Sequence, residues 1–342
     1  MRARSSPGGA LAQRGAAASE PHVAHATRTA LAHGNAVDAV ATGVLVAAAH
    51  APGVLLGPLQ VLVGGAGAGL LAIDGRVRQP GEGAPRPRGF LATEEVPDAA
   101  RVGVPGLPGA LATLVATLGT HSLLRAAGPA LEAARALGPE RGRVLQLFAR
   151  RGAPALADSD LAEELTAAAG RAERGLLTKE DLAAARPVVV PCDERRLVSG
   201  VLFAPWRADP RLDAAHCHVV AACDGKGLAA VACYEVPAVA VSIPALGLVA
   251  PLFAAPVLRG QTRIRPGELR PAAAPIALRM LGGIVDLCVG VAQAPDGERV
   301  LDGVTDALSR DASIAATVSA VTEGLMVALV RTQTSVRTLA SG

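Results

Sequence analysis

Gly227 to Leu258 is the most apolar stretch of the chain, yet Pro237, Pro244, Pro251 and Pro256 interrupt it and Glu235 lies within it. A run of that length invites a membrane-spanning reading. Proline removes an amide donor and breaks a helix, so short buried strands joined by turns fit better. The same stretch limits what can fill the core. Hydrophobic residues make up 51% of the 342 and aromatic ones only 2%, so small aliphatic side chains must pack against one another. A chain of this length can bury a large core.

Composition also narrows the function classes. The net charge is +3, and the arginines are interleaved with acids. There is neither a basic face nor a set of stacking aromatics, which argues against a nucleic-acid partner. Five cysteines at scattered positions give no disulfide framework and no CxxC metal pair, so a reducing cytoplasm is the expected setting. Residues 1–14 carry arginines without an apolar stretch behind them, and are expected to form a disordered leader, not a secretory signal.

Periodicity divides the remainder at about residue 186. Ala16 to Ala49 follows a helical pattern, broken at His33-Gly34-Asn35, where Gly34 suits a helix end and Asn35 a helix start. Val54 to Ile73 alternates glycine-rich turns with apolar runs, as a buried hairpin would. Arg76 to Glu95 reads as a loop, and residues 108–186 read as helical, with cap signals at Asp158-Ser159-Asp160 and Thr178-Lys179-Glu180-Asp181. From Val188 the period shifts toward two, with runs at Val188–Val190, Leu197–Phe203, Cys217–Cys223, Ile276–Met280 and Ile284–Val291. A last helix is expected from about Asp311 to Val330. This order suggests a layered α/β domain with inner sheets covered by helices.

Several short stretches occur in the order found in the gamma-glutamyltranspeptidase family. They are Gly15-Ala16-Ala17-Ala18-Ser19, Gly34-Asn35-Ala36-Val37-Asp38-Ala39, Gly64-Gly65-Ala66-Gly67, Ile73-Asp74-Gly75-Arg76, Val102-Gly103-Val104-Pro105-Gly106 and Gly175 to Leu182. The chain resembles that family over roughly residues 15–335. The resemblance implies a four-layer αββα N-terminal-nucleophile hydrolase sandwich, with 15–186 like the large subunit and 187–342 like the small one. Active members cut themselves before a threonine, whose freed amine then serves as base for its own hydroxyl.

Here the family's Thr-Thr-His motif falls on Ala214-Ala215-His216, followed by Val219-Val220 and Asp224-Gly225. A methyl group at the nucleophile position can neither attack nor start self-cleavage, so a single uncleaved chain is expected, in effect a pseudoenzyme for transpeptidation. Other positions implied by the resemblance are also replaced. The asparagine of a Thr-Leu-Asn segment falls near Glu235, paired asparagines on Pro251-Leu252, paired serines among Ala272-Ala273-Ala274, and the oxyanion-hole glycines on Gln293-Ala294. Arg76 keeps the arginine that would hold a substrate carboxylate, although Val77 replaces the glutamate beside it.

Among the remaining reactive groups, His216 and His218 share strand parity with position 214, so both imidazoles are expected beside Ala214, as bases or as structural residues. Cys217 is then expected on the opposite face, toward the helices, as a small hydrophobe. His216, Cys217, His218 and Cys223 offer too few same-face donors for zinc, and no metal or cofactor is implied. The Gly64–Gly69 run lacks a P-loop lysine and reads as a packed turn. Arg76 is either a loop arginine or a ligand contact.

Three functions fit. One is a noncatalytic homologue binding a small amino-acid-like or carboxylate ligand, or a protein partner such as a second copy or an intact paralogue. Another is a biosynthetic enzyme of secondary metabolism running different chemistry in the remodelled pocket. The third is a working gamma-glutamyl hydrolase, which lacks a nucleophile.

Overall fold

In the computed structural model, the described residues are 14–65, 68–85, 87–190, 192, 194–196, 200–206, 213–310, 313, 316–317, 324–331 and 335–341. They build two stacked six-stranded antiparallel sheets. Sheet one runs, edge to edge, β1 (Gly15–Ala18), β7 (Cys217–Cys223), β8 (Ala229–Glu235), β2 (Leu59–Gly64), β3 (Leu70–Gly75) and β4 (Val188–Val190). Sheet two runs β14 (Val336–Ser341), β13 (Leu325–Arg331), β12 (Ile284–Ala292), β11 (Ile276–Leu281), β6 (Val201–Phe203) and β5 (Glu194–Arg196). A separate hairpin pairs β9 (Ala240–Ile243) with β10 (Leu248–Pro251).

Helices cover the outer face of sheet one: α1 (Pro21–Leu31), α2 (Ala36–His50), α3 (Leu107–Leu118), α4 (Leu123–Ala126), α5 (Gly128–Leu137), α6 (Pro139–Arg151), α7 (Ser159–Ala169) and α8 (Lys179–Ala184). On sheet two the covering helix is α9 (Gly297–Ser309), whose Leu301, Val304 and Leu308 pack on Leu287, Val289 and Val291. The expected four-layer αββα arrangement is therefore present. Helix α2 is apolar on every side and buried from Ala36 to Ala49, as a helix sandwiched between a sheet and other helices must be. Its start is fixed by a capping box in which Asn35 Oδ1 accepts from Asp38 N and Asp38 Oδ2 accepts from Asn35 N, both at 2.9 Å.

Small residues set the spacing of the layers. The facing sheet surfaces are lined by Ala221, Ala229, Cys233, Cys288 and Ala292. A Cβ added at Gly290 of β12 would come within 2.6 Å of Val219 in the other sheet. The sheets approach this closely because the core holds almost no large side chains, as composition required. The proline-broken stretch forms β8, β9 and β10, and no helix among the described residues is long and apolar enough to cross a membrane.

Two local expectations need correction. Gly15–Ala18 is a strand, not the start of a helix, because pairing with β7 satisfies its backbone. Leu325–Val330, read as the end of a last helix, is strand β13 between β12 and β14. Ala316-Thr317 of that expected helix are helical, residues 311–312, 314–315 and 318–323 lie outside the described residues, and a further helix not expected from the sequence runs at Gly297–Ser309. Residues 1–13 of the expected leader, Ala66-Gly67 of the glycine run and Leu197–Ser199 lie outside the described residues.

Candidate functional site

One end of sheet one brings together two of the expected site residues, Arg76 and Glu235. Leu59 of β2 pairs with Tyr234 of β8 on one side and Gly75 of β3 on the other. Glu235 and Arg76 each follow by one residue, so they lie at the same sheet end, on strands roughly 10 Å apart. Cys217 pairs with Glu235 and therefore shares its face. That face looks into the space between the sheets, where Cys217, Cys233 and Ala214 are packed.

Ala214 sits in the turn that leads into β7. Its N–H donates to Pro295 O at 3.1 Å and its carbonyl accepts from Cys217 N at 3.0 Å. The methyl is 1% exposed and packs against Gly297 and the Ala273-Ala274 segment. No lone pair is available there for attack on an amide. Gln293 stands at an expected oxyanion-hole glycine and keeps a left-handed backbone, φ 56°, that glycine would adopt more cheaply. Its N–H is committed to Cys217 O at 3.0 Å.

The two histidines do not meet beside Ala214. Residues 214–216 form a turn and strand alternation begins only at Cys217, so the expected parity does not apply. His216 is exposed, and its carbonyl accepts from Val236 N. His218 is buried on the helix side of the sheet, with Nδ1 3.4 Å from Ser19 Oγ and 3.7 Å from Glu20 Oε2. Its ring stacks on Tyr234, whose hydroxyl donates to Glu20 at 2.6 Å. Burial holds the His218 pKa below its ordinary value, although Glu20 pulls the other way. Cys217 is the residue that faces the gap between the sheets, contrary to expectation. Its Sγ lies 3.7 Å from Ala273 O. The contact with Cys233 and burial push its thiol well above the usual value, so it stays protonated and inert.

Glu235 and Arg76 carry the remaining chemistry. Burial, with a smaller push from Asp213, raises the Glu235 carboxyl to about 7. Arg76 is gripped from behind by Asp74: Nε lies 2.9 Å and Nη2 2.8 Å from Asp74 Oδ2. Asp74 is fully buried, whereas the Arg76 side chain is 28% exposed. A guanidinium has five N–H groups, and Asp74 occupies the Nε/Nη2 edge. The Nη1/Nη2 edge is left for a second carboxylate. Next to Asp74 in the same row lies Gln60, 1% exposed, whose Nε2 has no partner among the described residues.

The close fit that holds Arg76 comes from two motif glycines. A Cβ on Gly106 would sit 1.9 Å from Gly75 O. In the sequence Asp74 stands only as a member of the Ile73-Asp74-Gly75-Arg76 motif, which does not by itself reveal its role. The available signal was its position two before Arg76 at a strand end, which places both on one face. Gln60 and Glu298, whose Oε1 accepts from Ala274 N at 3.3 Å, had no such signal.

No protein-family model and no curated protein matches the chain by sequence. Solved structures match by shape. Two structures of LmbA2991 superpose with TM-scores of 0.75 and 0.73 at 12% and 13% identity. A cephalosporin acylase from Bacillus halodurans superposes at 0.71 and 13% identity. In each comparison 96% of both chains is covered. With two antiparallel sheets between helical layers, the chain has the N-terminal-nucleophile hydrolase fold implied by its resemblance to the gamma-glutamyltranspeptidases.

Proposed function

We propose that this chain remains unprocessed and uses the Arg76 end of sheet one to bind a small carboxylate ligand of amino-acid type, without amide transfer at position 214. The observation that carries the reading is the Arg76–Asp74 pair. A buried carboxylate fixes the guanidinium and leaves one two-donor edge open, which is how a binding arginine is oriented in advance. The unpartnered Gln60 amide adds a donor nearby. Lysine is a point charge on a flexible stem and cannot copy the fork. Hydrogen bonds to charged groups contribute about 1.5–3 kcal/mol, so Arg76→Lys should weaken a true carboxylate ligand roughly tenfold or more. Calorimetric titration with glutamate, glutamine and glutathione measures this. Failure of all three to bind the wild type, or equal binding to the variant, removes the proposal. Denaturing mass spectrometry should give one species near 34.3 kDa, not two fragments meeting at residues 213 and 214.

A second reading, an enzyme of altered chemistry, is favoured by Glu235. A carboxyl titrating at about 7 suits a general base or acid at neutral pH. Any turnover found with a biosynthetic amide or ester panel should then follow that titration and vanish in Glu235→Gln.

A further inference from the structure

A cavity of about 730 Å³ lies between residues 83–85 and 87–90 on one side and the segment from Arg171 to Thr178 on the other. It shares no lining residue with the Arg76 site, and its volume is typical of small-molecule pockets, about 300–1,000 Å³. We infer that it binds a small organic acid: one anionic group joined to an aromatic or branched apolar body.

The cavity is built, not a chance gap between loops. Asp181 accepts from Gly81 N at 2.8 Å, Glu82 N at 2.9 Å and Thr178 N at 3.0 Å, tying one wall to the start of α8. Thr178 Oγ adds a bond to Glu82 O at 2.9 Å. The opposite wall is held where Phe90 N donates to Val257 O at 2.8 Å and Arg259 N donates to Phe90 O at 2.9 Å. Leu176, Leu177 and Ala100 are buried around the cavity and make its lining apolar.

Charge at the rim selects the ligand. Among the described lining residues Arg88, Arg171 and Arg174 face one acid, Glu94, so three positive charges less one negative leave a net of +2. Glu94 is already engaged, accepting from Leu91 N at 2.8 Å and lying 3.6 Å from Arg88. Arg171 has no ion-pair partner among the described residues. The Arg174 guanidinium lies 4.5 Å from the Phe90 ring centroid, so its flat face is covered and its N–H edge stays open. Its backbone is left-handed, φ 61°, where an arginine is uncommon. Apolar walls under an arginine rim fit an amphipathic anion, and neither a neutral ligand nor a cation satisfies both.

The test is calorimetric titration of the whole chain with 4-phenylbutyrate and its uncharged analogue 4-phenylbutanol. The acid should bind one to one, at least tenfold more tightly than the alcohol. Arg171→Gln/Arg174→Gln should weaken it at least tenfold, and Arg88→Gln should act in the same direction, each checked for folding by circular dichroism. Arg76→Lys should leave this binding unchanged. Absence of saturable binding up to millimolar acid, equal affinity for the alcohol, or an unaffected double variant overturns the inference. Loss of binding in Arg76→Lys would place the acid in the other site and also overturn it.

Discussion

The Arg76 end of sheet one and the arginine-rimmed cavity both present guanidinium groups, but they hold them differently. At Arg76 the positive charge is backed by a fully buried aspartate, and glycines bring the end of β3 and the start of α3 almost into contact. Around the cavity the arginines are exposed, Arg88 meeting Glu94 at 3.6 Å and Arg174 lying on the Phe90 ring, and the walls are loops pinned by Asp181. The first arrangement fixes geometry at the cost of tolerance to substitution. The second holds a volume open and leaves its charges adjustable.

The same substitution made at both places should separate them most sharply. Gly106→Ala drives a methyl to 1.9 Å from Gly75 O, where only backbone could yield. It should cost more than about 4 kcal/mol or prevent folding, among the largest single-residue effects. Gly83→Ala meets only the flexible Glu180 side chain at 3.4 Å, although φ is 69°. Its expected cost is about 1–2 kcal/mol, the strain of a left-handed alanine. Urea unfolding of the two variants gives both values, and similar losses would refute the contrast.

Next in size is Glu235. Its carboxyl titrates at about 7 in the fold against 4.5 ordinarily, so unfolding releases a proton between those values. The contribution of this carboxyl to stability is therefore fully present below about pH 4.5 and is lost as pH rises through 7. Glu235→Gln carries no such penalty. Relative to wild type it should gain on the order of 3 kcal/mol between pH 4 and pH 8. A pH-independent difference would show that Glu235 is not desolvated.

How far these regions were legible in the sequence depended on the kind of signal. Asn35 was readable as a helix start because a cap is a local event, and Thr178 to Asp181 likewise forms a capping box. The Ala16–Ala18 segment misled because alanine favours helix locally, while pairing with β7 decides its state. Leu325–Val330 is a continuous apolar run, which periodicity cannot assign to helix or strand. At the candidate site, Arg76 and Ala214 were found through motif order. The face of His218 was not, because a one-residue difference in where a strand begins reverses every side chain after it. Gln60 and the arginine cavity depend on segments far apart in the chain, and no local pattern announces them.

Strand β1 pairs with β7, so Ser19 contacts Val219 across 200 residues. On a ribosome, the first edge of sheet one emerges long before the strand it must join. β2 and β3 likewise wait for β8 to complete the middle of the sheet. Until then the alanine-lined inner face and the hydrophobic helix α2 have no sheet to lie against. Such long-range closure slows folding and prolongs the life of sticky partial structures. Recombinant yield should therefore depend on synthesis rate and chaperone supply more than on the final stability of the fold.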